Sequence, residues 1–181
     1  MYGSLGQAPT LRLAWPKLAV LREVSPVITD VGFSPEEIDT SAPTRAARLK
    51  WVVVVDDALP PGPAVNAAVC VAAATGQAVA GLLGPDAKDA GGTVHPGLPW
   101  IGSTILAAPA EVLTTLRARA ADSLGVYVAD MPSLGQQTRV YDEYLRGLEA
   151  LPAEEVRYYA IGLVGPRNRV DKLVKRLPLL S

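Results

Sequence analysis

Cysteine and histidine are almost missing from this chain of 181 residues, where Cys70 and His95 are the single examples of each. One cysteine rules out an internal disulfide and points to a reducing compartment, hence a cytoplasmic protein. Two such side chains fall short of the three or four that a zinc site of the His/Cys type requires, so no metal is expected. A Cys70–His95 nucleophilic pair needs an exposed thiolate. Cys70 lies inside an apolar stretch, where a buried role as a small hydrophobe is the expectation. Phosphate-binding loops, nucleophile elbows and dinucleotide-binding glycine patterns are absent as well, and no cofactor is expected.

Long apolar runs and a dominant charge are also lacking. The longest uninterrupted apolar run is the eight residues 67–74, against the roughly 20 that a membrane-spanning helix needs. With 17 Lys+Arg and 18 Asp+Glu the formal charge is -1, which exerts no global pull on nucleic acid or anionic lipid.

What is present is concentrated in residues 50–76, KWVVVVDDALPPGPAVNAAVCVAAATG. Five large apolar residues, 51–55, predict a strand covered on both faces. Asp56 and Asp57 end it, and Pro60, Pro61, Gly62 and Pro63 enforce a tight connection into a helix over 64–75. Gly76 is placed to cap that helix. Upstream, residues 1–31 read as an N-terminal extension with little order: Arg12, Lys17 and Arg22 suggest a transit peptide, but the prolines and the scarcity of hydroxyl residues argue against one. Ser34-Pro35-Glu36-Glu37 is a helix-start signature.

Downstream, 78–83 reads as a short strand or an extended connection. The segment 84–100 is a long Gly- and Pro-rich loop holding Asp86, Asp89 and His95. A second strand is expected at 103–107, then a helix from Pro109 to about residue 123. A third strand is expected at 124–129, ending at Asp130. The loop MPSLGQQT leads to a helix reaching about residue 151, with Val140, Tyr144, Leu145 and Leu148 inward. A fourth strand follows at 158–164, turned by Gly165-Pro166 into a last helix with Val170, Leu173, Val174 and Leu177 on one face. Four strands alternating with helices predict a three-layer α/β/α domain over 32–181, with a ligand crevice outside the carboxyl ends of the strands. Those ends bring forward Asp56 and Asp57, Asp130, Gln136, Gln137 and Thr138, and Gly165-Pro166. The loop through His95 is expected to cover them.

The blocks KWVVVVDDALPPGPAVNAA, GPDAKDAGGTVHPG and IGLVGPRNRVDKLVKRLPLL resemble a bacterial domain-of-unknown-function family, numbered two-thousand, which itself resembles the type II peptidyl-tRNA hydrolases in fold. The resemblance spans 32–181 and implies a mixed four-stranded sheet, a helix layer on each face and a homodimer. It does not imply the activity. Gly62, Ala67 and Ala68 match the hydrolases' small positions, but Pro63 and Val65 stand where those enzymes carry lysines and Val69 where they carry glutamine. A valine neither stabilises developing charge nor engages a phosphate. In the later loop Gly135 matches a glycine and Ser133 takes the acid position. Gln136, Gln137 and Thr138 fall near a Thr-Gln pair, and Lys172 matches a lysine of the last helix.

Two functions follow. The first is a non-catalytic protein that binds a small molecule or a partner, through Asp57, Asn66, Asp86, Gln136 and Gln137. The second is a divergent hydrolase acting on an ester or peptidyl-tRNA-like substrate, with Asp56, His95, Asp130 and Thr138 as catalytic candidates. Transfer RNA binding by Arg167, Arg169, Lys172, Lys175 and Arg176 competes with a plain solvated helix face, which Asp171 within the cluster favours. The helix over 64–75 is apolar nearly all round, so its outer face calls for a cover, either the N-terminal extension or a second subunit.

Overall fold

The structure, a computed structural model, describes residues 31–181; the extension expected over 1–31 lies outside the described residues except for Val31, which is buried. Its centre is β1 (Leu49–Asp56), the second strand of a mixed sheet ordered β4-β1-β6-β5. Strand β4 (Thr104–Ala108) runs parallel to β1, while β6 (Tyr158–Pro166) runs antiparallel to both β1 and β5 (Tyr127–Pro132). β1, β4 and β5 therefore point the same way. Two more short strands, β2 (Ala87–Lys88) and β3 (Val94–His95), pair separately.

Alternation along β1 builds two cores. Trp51, Val53 and Val55 face α1 (Pro61–Ala78), meeting Ala64, Ala67 and Val71. Val52 and Val54 face the other way, toward Leu113, Leu116 and Ala120 of α2 (Ala110–Ala121) and Val170 of α5 (Arg167–Leu173). Helices thus lie on both faces, and the four valines 52–55 are at most 1% exposed, each contributing roughly 1.5–3 kcal/mol of transfer free energy. Gly162 in β6 lets α1 sit this close, because a side chain there would collide with Val71 and crowd Thr75.

α1 starts at Pro61 and carries Pro63 in its first turn, where a missing N–H costs nothing. It does not stop at Gly76. The helix runs on to Ala78, and Val79 ends it by turning extended to bury its side chain, its N–H still donating to the Thr75 carbonyl. Val31 and Phe33 are buried, Phe33 packs 4.8 Å from Trp100, and the Ser34/Glu37 capping box is closed. Val31, Phe33 and Ala47 thus belong to the core.

Several expected elements shift for local reasons. The long loop is organised by the β2–β3 pair, whose turn Asp89 closes by accepting the Thr93 N–H at 2.9 Å. β5 begins at Tyr127, because Gly125 just before it takes φ +71° in a turn, and continues past Asp130 to Pro132. The helix expected after it is two helices, α3 (Leu134–Gln137) and α4 (Tyr141–Ala150), since Thr138 is extended. α4 lies off the sheet against α3, so Val140 and Leu145 face solvent rather than the interior. Gly165 and Pro166 complete β6 opposite Lys50 and Leu49 and are not a turn. α5 ends at Leu173, although Val174 beyond it remains buried.

Candidate functional site

The carboxyl ends of β1, β4 and β5 share one rim of the sheet, where α1 also begins. Asp56, at the end of β1, is 7% exposed and accepts the Ala58 N–H at 3.1 Å, which closes the turn into α1. Asp57 is exposed, its backbone N–H held by the Ala108 carbonyl. Asn66 is exposed one turn into α1. Gln136 donates its side-chain amide to the Pro63 carbonyl at 2.9 Å, stapling α3 to the first turn of α1, and Gln137 points to solvent. Thr138 donates to the Leu134 carbonyl at 3.1 Å.

Asp130 faces the α2 side of β5, and Arg117 of α2 donates its Nε to the carboxylate at 3.1 Å. This hydrogen bond raises the Arg117 pKa above its ordinary value against a smaller opposing effect of burial. Three phenols feel the same carboxylate. Burial pushes the Tyr127, Tyr144 and Tyr158 hydroxyls up from their usual range, and the Asp130 charge adds to each. Asp130 and Asp56 do not form a pair: they lie two strands and two residues apart, about 12 Å by sheet geometry.

Beside Asp130, at the open edge of β5, a cleft of about 460 Å³ separates α1 from the α3–α4 segment. Cys70 and Ala74 form one wall, Met131 and Gly135 the floor, and Thr138, Arg139, Val140, Tyr141 and Tyr144 the other wall. The Tyr141 and Tyr144 rings meet at 5.5 Å and 54°. Cys70 is exposed here rather than buried. An all-round apolar helix gives no periodic signal of its inner face, and the sheet takes only the stripe Ala64, Ala67, Val71 and Thr75. Aromatic rings, a thioether and a few polar groups suit a largely apolar, planar ligand with polar substituents.

His95 and Asp86 lie elsewhere. Their hairpin follows the end of α1, and Leu83 pairs with Pro99 before the chain re-enters the sheet at Thr104, beside Val52. They therefore stand at the opposite rim and cover nothing at Asp130. Asp86 accepts the Gly97 N–H at 2.9 Å, and the exposed His95 imidazole is 3.6 Å from the Asp89 carboxylate. Gly165 and Pro166 share that rim, because β6 runs antiparallel. The C-terminal cations are divided too. Arg169 and Lys172 share a hollow with Arg119, Arg167 turns toward Thr44, and Lys175 borders a separate groove. Among the described residues no three His, Cys, Asp or Glu side chains are grouped to hold a metal ion, and no helix is long and apolar enough to cross a membrane.

Arg117, Tyr141 and Tyr144 were not legible as site residues. Arg117 reads as part of the solvated face of α2, and nothing in its spacing reveals the partner that β5 brings alongside.

A family model described as "Protein of unknown function (DUF2000)" matches residues 49–181. No curated protein matches. A solved structure of a protein of unknown function from Agrobacterium tumefaciens superposes with a TM-score of 0.63 at 18% identity, covering 74% of this chain and 98% of that one. At this identity the likeness is one of fold.

Proposed function

This chain belongs to the DUF2000 family of proteins of unknown function, and from that premise we propose that it is a non-catalytic binding protein whose small-molecule ligand lies in the Asp130–Tyr144 cleft. The fold we assign to it is of the type II peptidyl-tRNA hydrolase kind, without that enzyme's reactive lysine and in a cytoplasmic setting. The observation that carries the reading is an aromatic-walled cleft with no nucleophile–base pair around it among the described residues. Val65 and Val69, at positions where the hydrolases place lysine and glutamine, are 60% and 59% exposed on the outside of α1. The Asp130 carboxylate is engaged by Arg117, and the only histidine stands at the other rim.

Thermal melting of the full chain against a library of planar small molecules tests this. A ligand that binds the folded state alone raises the melting temperature, and Tyr144→Ala removes the rise. If no compound shifts the wild-type protein, the binding reading fails. If instead the protein hydrolyses peptidyl-tRNA or simple esters faster than Asp130→Ala does, the divergent hydrolase, for which Asp130 and Thr138 share the cleft, takes its place.

For partners, the supported reading is a homodimer through the outer face of α1. Val65 and Val69 border an apolar groove of about 460 Å³ that continues over Ile105 to Leu180, a surface that water disfavours. Sedimentation of the full chain is expected to give a dimer, and Val65→Asp with Val69→Asp a monomer. A wild-type monomer overturns it.

A further inference from the structure

The strongest unassigned feature lies at the rim opposite the cleft. Lys50 and Asp56 are six residues apart in β1, about 20 Å in an extended strand. Around Lys50 a cavity of about 270 Å³ opens between the starts of β1 and β4, lined by Thr44, Arg45, Trp51, Ser103, Thr104 and Arg167 among others.

Two side-chain nitrogens among the described residues are buried without a hydrogen-bond partner, Trp51 Nε1 and Arg167 Nε. Both belong to residues that line this one cavity. Each can only donate. A buried donor left unpaired is costly enough that a folded protein carries one only for cause. Trp51 is 6% exposed and borders both this cavity and the apolar groove along α1, so bulk water does not reach the indole nitrogen freely.

Charge defines the acceptor further. Lys50 is neutralised by Asp171, with Nζ to Oδ1 at 2.5 Å. Arg167 is different: its Nη2 donates to the Thr44 and Ala47 carbonyls at 3.3 and 3.4 Å. Those neutral acceptors orient the guanidinium, whose charge has no acidic partner among the described residues. Arg45 adds a second cation to the lining, which also includes Ser103 and Thr104. Arginine held in a fixed orientation favours a planar or tetrahedral oxyanion.

We propose that this cavity is a binding site for a small oxyanion, a carboxylate or a phosphate group, held by Arg45 and Arg167 with Trp51 Nε1 as a donor. The volume admits a small metabolite or the charged end of a larger one. The site is separate from the cleft and does not depend on what the cleft binds.

The test is nitrogen-resolved magnetic resonance of the indole N–H groups in the ¹⁵N-labelled full chain, with Trp51 assigned by loss of its signal in Trp51→Phe. Inorganic phosphate and acetate are titrated in separate arms at constant ionic strength. The expected result is a saturable downfield shift of the Trp51 indole in at least one arm, and the stronger arm identifies the class. Arg45→Gln, at an exposed position that leaves the fold intact, is expected to weaken that binding about tenfold, the scale of one charge-assisted hydrogen bond. Tyr144→Ala is expected to leave it unchanged. A linear, unsaturated response in both arms, or equal affinity in Arg45→Gln, overturns the proposal. So does an indole already bonded to ordered water and indifferent to either anion.

Discussion

The two rims of the sheet are built from the same strands and differ in what they leave unpaired. At the rim where α1 begins, two carboxylates are engaged: Asp56 accepts the Ala58 N–H and Asp130 is paired with Arg117. The cleft beside them is lined mainly by aromatic and apolar surface, with Arg139 at its wall. At the opposite rim Phe33 packs against Trp100, Leu98 of the nearby loop stays exposed, and the groups around the cavity are mainly donors and cations. One rim is therefore suited to shape and dispersion, the other to charge, and a ligand of one kind has little to gain at the other.

The largest expected effect removes both at once. Gly162→Val drives a side chain into Val71 and Thr75, lifting α1 from the sheet on which both rims depend. Overpacking here is expected to cost about 3 kcal/mol, read by chemical denaturation, with any ligand response lost at both rims. A smaller change separates them. Arg117→Met frees the half-buried Asp130 and is expected to cost about 1 kcal/mol, reduced from a fully buried pair because both side chains retain solvent contact. Ligand-induced melting shifts from the cleft should change while the phosphate or acetate response of Trp51 does not.

The tyrosines sharpen the comparison by pH. Tyr127, Tyr144 and Tyr158 have folded pKa values raised by burial first, with a further push from Asp130. A raised value for an acid that is neutral when protonated means the associated stability is present below the unfolded phenol pKa of about 10 and is lost as pH rises through the folded value. Ultraviolet titration should show these phenols ionising late, and Asp130→Asn should bring them earlier. The smallest effect belongs to the other rim. The Arg48 hydrogen bond and the Ser34 N–H lower Glu37 to about 2. Its contribution is therefore present above its usual 4.5 and lost as pH falls toward 2. Glu37→Gln is expected to flatten the acid limb of the stability curve in that window, most visibly in the docking of residues 31–48, without touching the cleft.

Local signals made much of the fold legible. The valine run of β1, the proline-rich turn, the Ser34 capping box and the four strands all follow from patterns within a few residues of one another. Boundaries slipped where a single backbone angle decided them, as at Gly125 before β5 and at Thr138 between α3 and α4. The candidate site was half legible. Asp130 and Thr138 share one cleft, with Gln136 bracing it, but Cys70 was expected inside and His95 nearby. Neither error was correctable locally: α1 is too uniformly apolar to show which stripe the sheet takes, and the place of His95 depends on which end of the sheet its loop returns to.

By itself, then, the sequence determined that residues 50–76 form a buried strand, a rigid turn and an apolar helix, because β-branched runs and prolines act through their own backbones. It also determined that positions 63, 65 and 69 carry no lysine or glutamine, since Pro63, Val65 and Val69 occupy them. Only the tertiary structure decided that Asp130 meets Arg117, that Cys70 lines a cleft, and that Trp51 and Arg167 share a cavity, with no partner among the described residues for Trp51 Nε1 or Arg167 Nε. Those pairings join residues 13 to 116 positions apart in the chain. They arise from strand order and direction, which no local pattern encodes.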